Sequence, residues 1–238
     1  MKKKKILLIG GTGGIGNVLG DFLSKSYFLI SASRNRPNYE CQYLYLDLSN
    51  PKSIKDFCIS YKNKFKNIEG LIFNSGKSIA ANNKYSGRMQ DPKIFNELIN
   101  INLLSFYELI YEIEPCISNK SSIILISSIG AHYSFPQNPG YQVSKAGLES
   151  ISRCLSYDLA PREIRVNSLA LGYFKTDMTK SSYEDKNLRV IRESNTLLNR
   201  WGEPEEVTGI VNLLLSDNSS YITGSTIFVD GGWHSKGL

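Results

Sequence analysis

Short apolar runs alternate with longer amphipathic stretches from one end of the chain to the other. Runs such as Ile6-Leu7-Leu8-Ile9 and Ile123-Ile124-Leu125-Ile126 are continuous rather than alternating, as expected of strands covered on both faces. They predict strands near residues 5–9, 28–32, 42–46, 69–73, 121–127, 164–169 and 225–229. Stretches with apolar residues three and four apart predict helices near 14–25, 52–65, 93–114, 140–159 and 204–215. Pro92 and Pro204 suit the first turn of a helix, where no amide hydrogen bond is lost. The order reads strand, helix, strand throughout, so the expected class is α/β: a doubly wound parallel sheet of about seven strands flanked by helices on both faces. Two polar segments interrupt the rhythm, Gly76–Asp91 and Gly172–Arg200. Long connections in such a domain are usually functional, which makes these two the candidate substrate loops.

Composition narrows the setting. With 238 residues, 41% of them hydrophobic, the chain can bury a sizeable core, and residues 1–238 are expected to form one domain. No apolar run approaches the roughly 20 residues that cross a bilayer, and the basic Met1–Lys5 start leads into only four apolar residues before the glycines begin, which predicts neither a membrane span nor a signal peptide. Cys41, Cys58, Cys116 and Cys154 are widely spaced, and only His132 and His234 could join them as soft ligands. Reduced structural thiols in a cytoplasmic protein without a metal is the expectation. The net charge of +6 is scattered apart from the terminal lysines, which argues against a nucleic-acid groove and suits an anionic small molecule or an acidic carrier protein.

Directly after the first strand comes Ile9-Gly10-Gly11-Thr12-Gly13-Gly14-Ile15-Gly16, opening a helix. Glycines at 10, 14 and 16 let the backbone turn tightly and approach a pyrophosphate, which would lie against amides at the helix N-terminus. The position between strand and helix favours a dinucleotide over a plain tight turn, and with it a Rossmann-type fold. At the end of the second strand, Ser33-Arg34-Asn35-Arg36 stands where a carboxylate would accept the ribose hydroxyls of NAD. A guanidinium pairs well with a 2′-phosphate, so NADP is expected over NAD; ordinary loop charges are the alternative.

Tyr141 and Lys145 are separated by i and i+4, so they project from one helix face and can share a pocket. With 14 tyrosines and 19 lysines in the chain, this spacing would arise about once by chance, so context carries the inference. A free phenol titrates near pH 10; a neighbouring ammonium and an oxidised nicotinamide are expected to stabilise its phenolate and make Tyr141 a usable acid or base. Individually, a packing Tyr, a surface Lys and a Ser ending a strand would be commoner than catalysis.

The G-x-x-x-G-x-G spacing, the Tyr-x-x-x-Lys pair, Ser128 thirteen residues upstream, Asn102-Leu103, Asn74-Ser75-Gly76 and Asp47 between two leucines together resemble the short-chain dehydrogenases/reductases over nearly the whole chain. The pattern departs from the family at Ile9, Phe73 and Leu171, where a threonine, an asparagine and a proline are usual. The resemblance implies that Gly10, Thr12, Gly14, Ile15 and Gly16 cradle the cofactor phosphates, with Ser33 and Arg34 at the adenosine ribose. It also implies that Asp47 and Leu48 lie at the adenine and that Asn74, Ser75 and Gly76 line the cofactor. Lys145 and Tyr141 would hold the nicotinamide ribose, Gly172, Phe174 and Thr176 would fold over the nicotinamide, Ser128 would grip the substrate oxygen, and Asn102 would anchor a water relaying protons to Lys145. Ser127 competes with Ser128, and the thirteen-residue interval favours the latter.

The segments Arg200–Glu206, Tyr221–Gly224 and Asp230–Gly232 resemble most the 3-oxoacyl-[acyl-carrier-protein] reductase branch. There Arg162 would meet an acidic carrier protein, with Lys120 nearby and Asn119 at the companion arginine position. A small polar ketone, such as a sugar intermediate, is the alternative substrate, and an NADP-binding sensor without turnover a third reading. By resemblance the chain would assemble as a homotetramer or homodimer through the helices near 93–114 and 140–159.

Overall fold

Along the first strand, β1 (Lys5–Ile9), successive side chains part to opposite faces: Leu7 and Ile9 join one apolar cluster, Ile6 and Leu8 the other. Ile123 and Leu125 repeat this split against Ile124 and Ile126 on β5 (Ile117–Ser128). Both faces therefore need a cover of helices, which is why the strands read as unbroken apolar runs. The computed structural model describes residues 3–79, 89–136 and 138–236. Its remaining strands are β2 (Phe28–Ser33), β3 (Gln42–Tyr45), β4 (Ile68–Phe73), β6 (Arg165–Leu171) and β7 (Thr226–Val229). All pair in parallel in the order β3-β2-β1-β4-β5-β6-β7. The chain thus winds outward from β1 in both directions, leaving a crevice at the carboxyl ends of β1 and β4.

One face is covered by α2 (Pro51–Lys64), α4 (Ser105–Ile113) and α5 (Pro139–Asp158), which supply Phe57, Tyr61, Phe106, Leu109 and Leu148. The other is covered by α1 (Gly14–Ser26) and α8 (Glu206–Leu215), through Leu19, Leu23, Val207, Val211 and Leu214. Among the described residues, no helix is long and apolar enough to cross a membrane.

Four local features differ from the sequence expectations. The helix expected over 93–114 is one rod in three parts: α3 (Pro92–Ile99, capped by Asp91), a π turn over Asn100–Leu104, and α4. β5 starts at Ile117, four residues early, because a register shift against β4 admits the polar Ser118-Asn119-Lys120. The polar segment 172–200 contains two helices, α6 (Lys180–Glu184) and α7 (Lys186–Ser194, capped by Asp185). Of the other expected loop, 76–91, residues 80–88 lie outside the described residues.

The fourth correction concerns the strict strand-helix-strand order. β2 reaches β3 through only Arg34–Cys41, without a helix. Tyr39 fills the space a helix would have covered. Its hydroxyl donates to Gly11 O at 2.8 Å and lies 2.9 Å from Ser31 Oγ, and its ring rests on Gly20 of α1. Burial pushes its phenol up to about 12, so it stays a neutral donor.

Candidate active site

The glycine-rich turn lies at the carboxyl end of β1, joined to the end of β4. Gly10 N donates to Ala32 O at 2.8 Å, while Asn74 donates from its backbone to Ile9 O and from Nδ2 to Gly10 O, both at 2.9 Å. A side chain at Gly16 would put its Cβ 1.9 Å from Gly10 O, so only glycine allows this closure. Gly14 sits at φ +34°, with Thr176 pressed against it. Ile15 turns its side chain into the core. α2, α3 and α7 are capped by their own Asn50, Asp91 and Asp185, whereas α1 has no side-chain cap and no acidic residue in its first turn. Its leading amides are thus left for an anion. Beside them opens a cavity of about 490 Å³ between Thr12, Gly14 and Asn17 on one side and Lys175, Thr176 and Lys180 on the other.

The ends of β2 and β3 carry the adenosine-side candidates. Ser33 Oγ donates to Asn35 O at 2.7 Å, which holds the turn that presents the exposed Arg34. Asp47 accepts from Ser49 N at 2.9 Å and Ser49 Oγ at 2.7 Å; those bonds first, and Arg34 after them, hold its carboxyl below the usual range. The cap of α2 is Asn50, whose side chain accepts from Lys52 N and Ser53 N. Leu48 is partly buried and packs against the core.

The chemical candidates converge where β5 ends and α5 begins. Lys145 is 3% exposed, and its Nζ donates to Ile126 O at 2.8 Å. Burial lowers its pKa to about 8, with the Glu149 carboxylate pulling the other way. Its ammonium lies 5.7 Å from the centre of the Tyr141 ring. Ser128 ends β5 and accepts from Gly130 N at 3.0 Å, which fixes its hydroxyl beside Tyr141. A Cβ built on Gly130 would stand 3.4 Å from both Ser128 Oγ and Tyr141 Cε1, so the missing side chain leaves room between them.

For Tyr141 the direction of the shift is opposite to the expectation: burial raises its pKa above 10, and the hydrogen bond with Ser128 only partly offsets this. A desolvated phenolate is costly, and the ammonium beside it spends one of its three donors on Ile126 O. Ser127 turns its hydroxyl into the core, where it meets Lys145 only through the main-chain carbonyl, at 3.4 Å. Its hydroxyl donates to Glu149 Oε1 at 2.7 Å inside the core.

Asn102 sits in the π turn and is fully buried. Its Nδ2 donates to Lys77 O at 2.9 Å and Ser144 Oγ at 3.0 Å, and its Oδ1 accepts from Lys77 N at 2.7 Å. This pins the segment after β4 to α5. A Cβ built on Gly76 would lie 3.1 Å from Lys145 Nζ, so Asn102, Gly76 and Lys145 form one cluster. Gly172 N donates to Val229 O at 2.9 Å, and Phe174 is buried against Gly202. Thr176 N donates to Thr179 Oγ1 at 3.2 Å, and the Thr176 side chain meets Gly14, which places this segment along the rim facing the glycine turn.

Two groups here escaped the sequence reading. Glu149 continues the i, i+4 series from Tyr141 and Lys145, a spacing that could have revealed it, and pairs with His132 Nε2 at 2.8 Å. Tyr173, Phe135 and Trp233 form an aromatic wall, with ring centres 5.2 to 6.3 Å apart. No spacing rule links them, since they come from three separate segments.

Comparison with known proteins fits this geometry. A family profile described as Enoyl-(Acyl carrier protein) reductase matches residues 30–234. The 3-oxoacyl-[acyl-carrier-protein] reductase FabG of Rickettsia felis is 34% identical over 243 residues, covering 96% of each chain. Dehydrogenase/reductase SDR family member 4 of Sus scrofa is 34% identical over 163 residues, 67% of this chain but only 58% of that protein's length. The Pseudomonas aeruginosa RhlG/NADP complex superposes with a TM-score of 0.85 at 24% identity, over 98% of this chain and 97% of that one. With its glycine turn, buried lysine and paired hydroxyls set at the carboxyl ends of a seven-stranded parallel sheet, the chain belongs to the short-chain dehydrogenase/reductase family of NAD(P)-using oxidoreductases.

Proposed function

We propose that the chain is an NADPH-dependent ketone reductase, with a 3-oxoacyl thioester on acyl carrier protein as its leading substrate class. The observation that carries the chemistry is the meeting of Ser128 and Tyr141 at the space left by Gly130, with the buried Lys145 ammonium 5.7 Å from the centre of the Tyr141 ring. Gly10, Thr12, Gly14, Ile15 and Gly16 would hold the cofactor phosphates through backbone amides. Ser33 and Arg34 would take the 2′-phosphate of the ribose, and Asp47 the adenine edge, with Leu48 packed beneath. Asn74, Ser75, Gly76, Gly172, Phe174 and Thr176 would enclose the nicotinamide half. When bound, the reduced nicotinamide supplies the hydride that the carbonyl carbon accepts.

The residues of the chain supply the proton. Tyr141, kept neutral by burial, gives its phenolic proton to the developing alkoxide, while Ser128 donates a hydrogen bond to the same oxygen. A raised pKa suits this direction, because a protonated acid is needed at neutral pH. Lys145, with a pKa of about 8, can return a proton to Tyr141. Asn102 braces the segment that closes over Lys145.

Full-length similarity to a carrier-protein reductase supports the leading substrate class. One observation favours the second, a small polar ketone. Arg162, the residue expected to greet an acidic carrier, donates to the Glu114 carboxylate, to Ile117 O and to Asn119 Oδ1. Lys120 faces Glu163 at 3.6 Å. The exposed Tyr107, Tyr111, Val143 and Tyr157 on α4 and α5 support assembly with further copies of the chain into a homodimer or homotetramer. Free cysteines at all four positions support a reducing, cytoplasmic setting for this one-domain enzyme. The test is loss of NADPH absorbance with 3-oxoacyl carrier thioesters and polar ketones side by side. Turnover faster with NADPH than with NADH is expected; absence of turnover across both sets overturns the reading.

A further inference from the structure

Beyond the reacting hydroxyls and Lys145, one further cation beside the substrate space, Arg192, has no carboxylate partner among the described residues. Arg192, in the last turn of α7, lays its guanidinium over the Tyr173 ring, 4.2 Å from the ring centre, and donates from Nη1 to the Tyr173 hydroxyl. Its Nε is buried without a hydrogen-bond partner. Among the described residues no carboxylate comes within 4.0 Å of it, whereas the neighbouring Arg189, whose Nε also lacks a hydrogen-bond partner, has the Glu193 carboxylate at 3.9 Å. A partly buried guanidinium resting on a phenol has donors to spare, and its planar fork matches a carboxylate or phosphate.

Arg192 is also close to the chemistry. Tyr173 lies two residues past the end of β6, and its phenol is raised by burial, lowered by the Arg192 guanidinium and raised again by the nearby Tyr141 phenol. Phe135 approaches the space at Gly130 between Ser128 and Tyr141, and its ring lies 6.2 Å from that of Tyr173. The guanidinium thus sits one phenol away from the proton donor, on the aromatic wall of the substrate space.

The geometry points to Arg192 and Tyr173 as a receptor for an anionic group carried by the substrate within a few bonds of its ketone, a carboxylate or a phosphate. The inference rests on the ketone-reductase reading and chooses within it. A carrier-bound 3-oxoacyl chain holds only carbon and a thioester at that distance, so the site suits a small acidic ketone. Tyr173, Phe135 and Trp233 would bear on the carbon skeleton, and Arg192 would fix which end enters.

Matched ketones test this: acetoacetate against methyl acetoacetate, and dihydroxyacetone phosphate against dihydroxyacetone. A charge-assisted contact is worth about 1.5–3 kcal/mol, so the anionic member of at least one pair should have kcat/KM about ten- to 150-fold higher. Which pair shows the preference tells carboxylate from phosphate. In Arg192→Gln that ratio should fall to near one, while Arg189→Gln should keep it. Binding is read separately from turnover, because both tryptophans, Trp201 and Trp233, touch Tyr173. Acetoacetate or inorganic phosphate should give a saturable change in tryptophan fluorescence that Arg192→Gln abolishes. Such binding without reduction of any ketone would end the reductase reading and leave the anion site standing. Equal kcat/KM within both pairs, or an anion preference and fluorescence change that persist in Arg192→Gln, would overturn the site.

Discussion

Arg162, where β5 and β6 begin, and Arg192, over the end where they finish, carry the same side chain into opposite circumstances. Arg162 is consumed by the protein: a carboxylate, a main-chain carbonyl and an asparagine take up its donors. Nearby, Ser121 donates to Ile68 O at 3.0 Å and Ser122 to Leu214 O at 2.7 Å, tying helices and strands together. At the other end the polar groups keep capacity in hand. Lys145 is bonded to Ile126 O, Arg192 has a buried Nε without a partner, and the first turn of α1 lacks a cap. Burying polar groups in that condition costs stability, which is the usual mark of groups placed for a ligand. In this fold the amino ends of the strands serve folding and the carboxyl ends serve chemistry.

The contrast can be broken from either side. The largest effect belongs to Tyr141→Phe, which removes the proton donor and leaves the helix intact; kcat/KM should fall on the order of 10³-fold, with the urea midpoint nearly unchanged. A rate within tenfold of the parent would remove Tyr141 from the mechanism. Next comes Lys145→Met, read as stability against pH. Lys145 has a folded pKa of about 8, below its ordinary value of 10.5, so the unfolded chain binds the extra proton between those values. The parent should therefore gain stability relative to Lys145→Met as pH rises from 8 to 10.5, by at most about 3.5 kcal/mol at roughly 1.4 per unit. A flat difference between the two denaturation series would mean the amine is not desolvated.

Arg162→Gln probes the opposite end. Losing its charged bonds and stranding Glu114 should cost about 1–3 kcal/mol of stability, measured by urea unfolding, while kcat per folded molecule on a small ketone stays the same. If activity on carrier thioesters alone drops, with stability unchanged, Arg162 is a docking residue and not a tether. The smallest effect is expected from Arg34→Gln, which should lower the ratio of kcat/KM for NADPH over NADH about tenfold. An unchanged ratio would return Arg34 to the class of solvated loop charges.

Much of the molecule could be read from local pattern. Short apolar runs, unbroken at β1 and at the centre of β5, placed all seven strands, and periodicity near 3.6 placed the helices, because both report on neighbours within a turn or a pleat. The i, i+4 spacing put Tyr141 and Lys145 on one face for the same reason. Boundaries slipped where the local signal was weak: polar residues masked the start of β5, and α6 and α7, short and rich in charge, read as loop.

Sequence reasoning failed wherever an outcome turned on partners far apart in the chain. Nothing in Asn100–Leu104 announces a π turn; it is the bonds of Asn102 to Lys77 and Ser144, 25 and 42 residues away, that hold it in place. The helix-free passage from β2 to β3 works because Tyr39 finds Gly11, Ser31 and Gly20. The proton affinity of Tyr141 follows from how deeply α5 is packed, a property of the assembled layers and not of any spacing. An arginine looks the same in the chain whether it will be neutralised or left over. Order along the chain specified which elements form and which residues share a face. Packing across the sheet settled which charges are spent on the fold and which remain for a substrate, because burial and pairing exist only once distant segments meet.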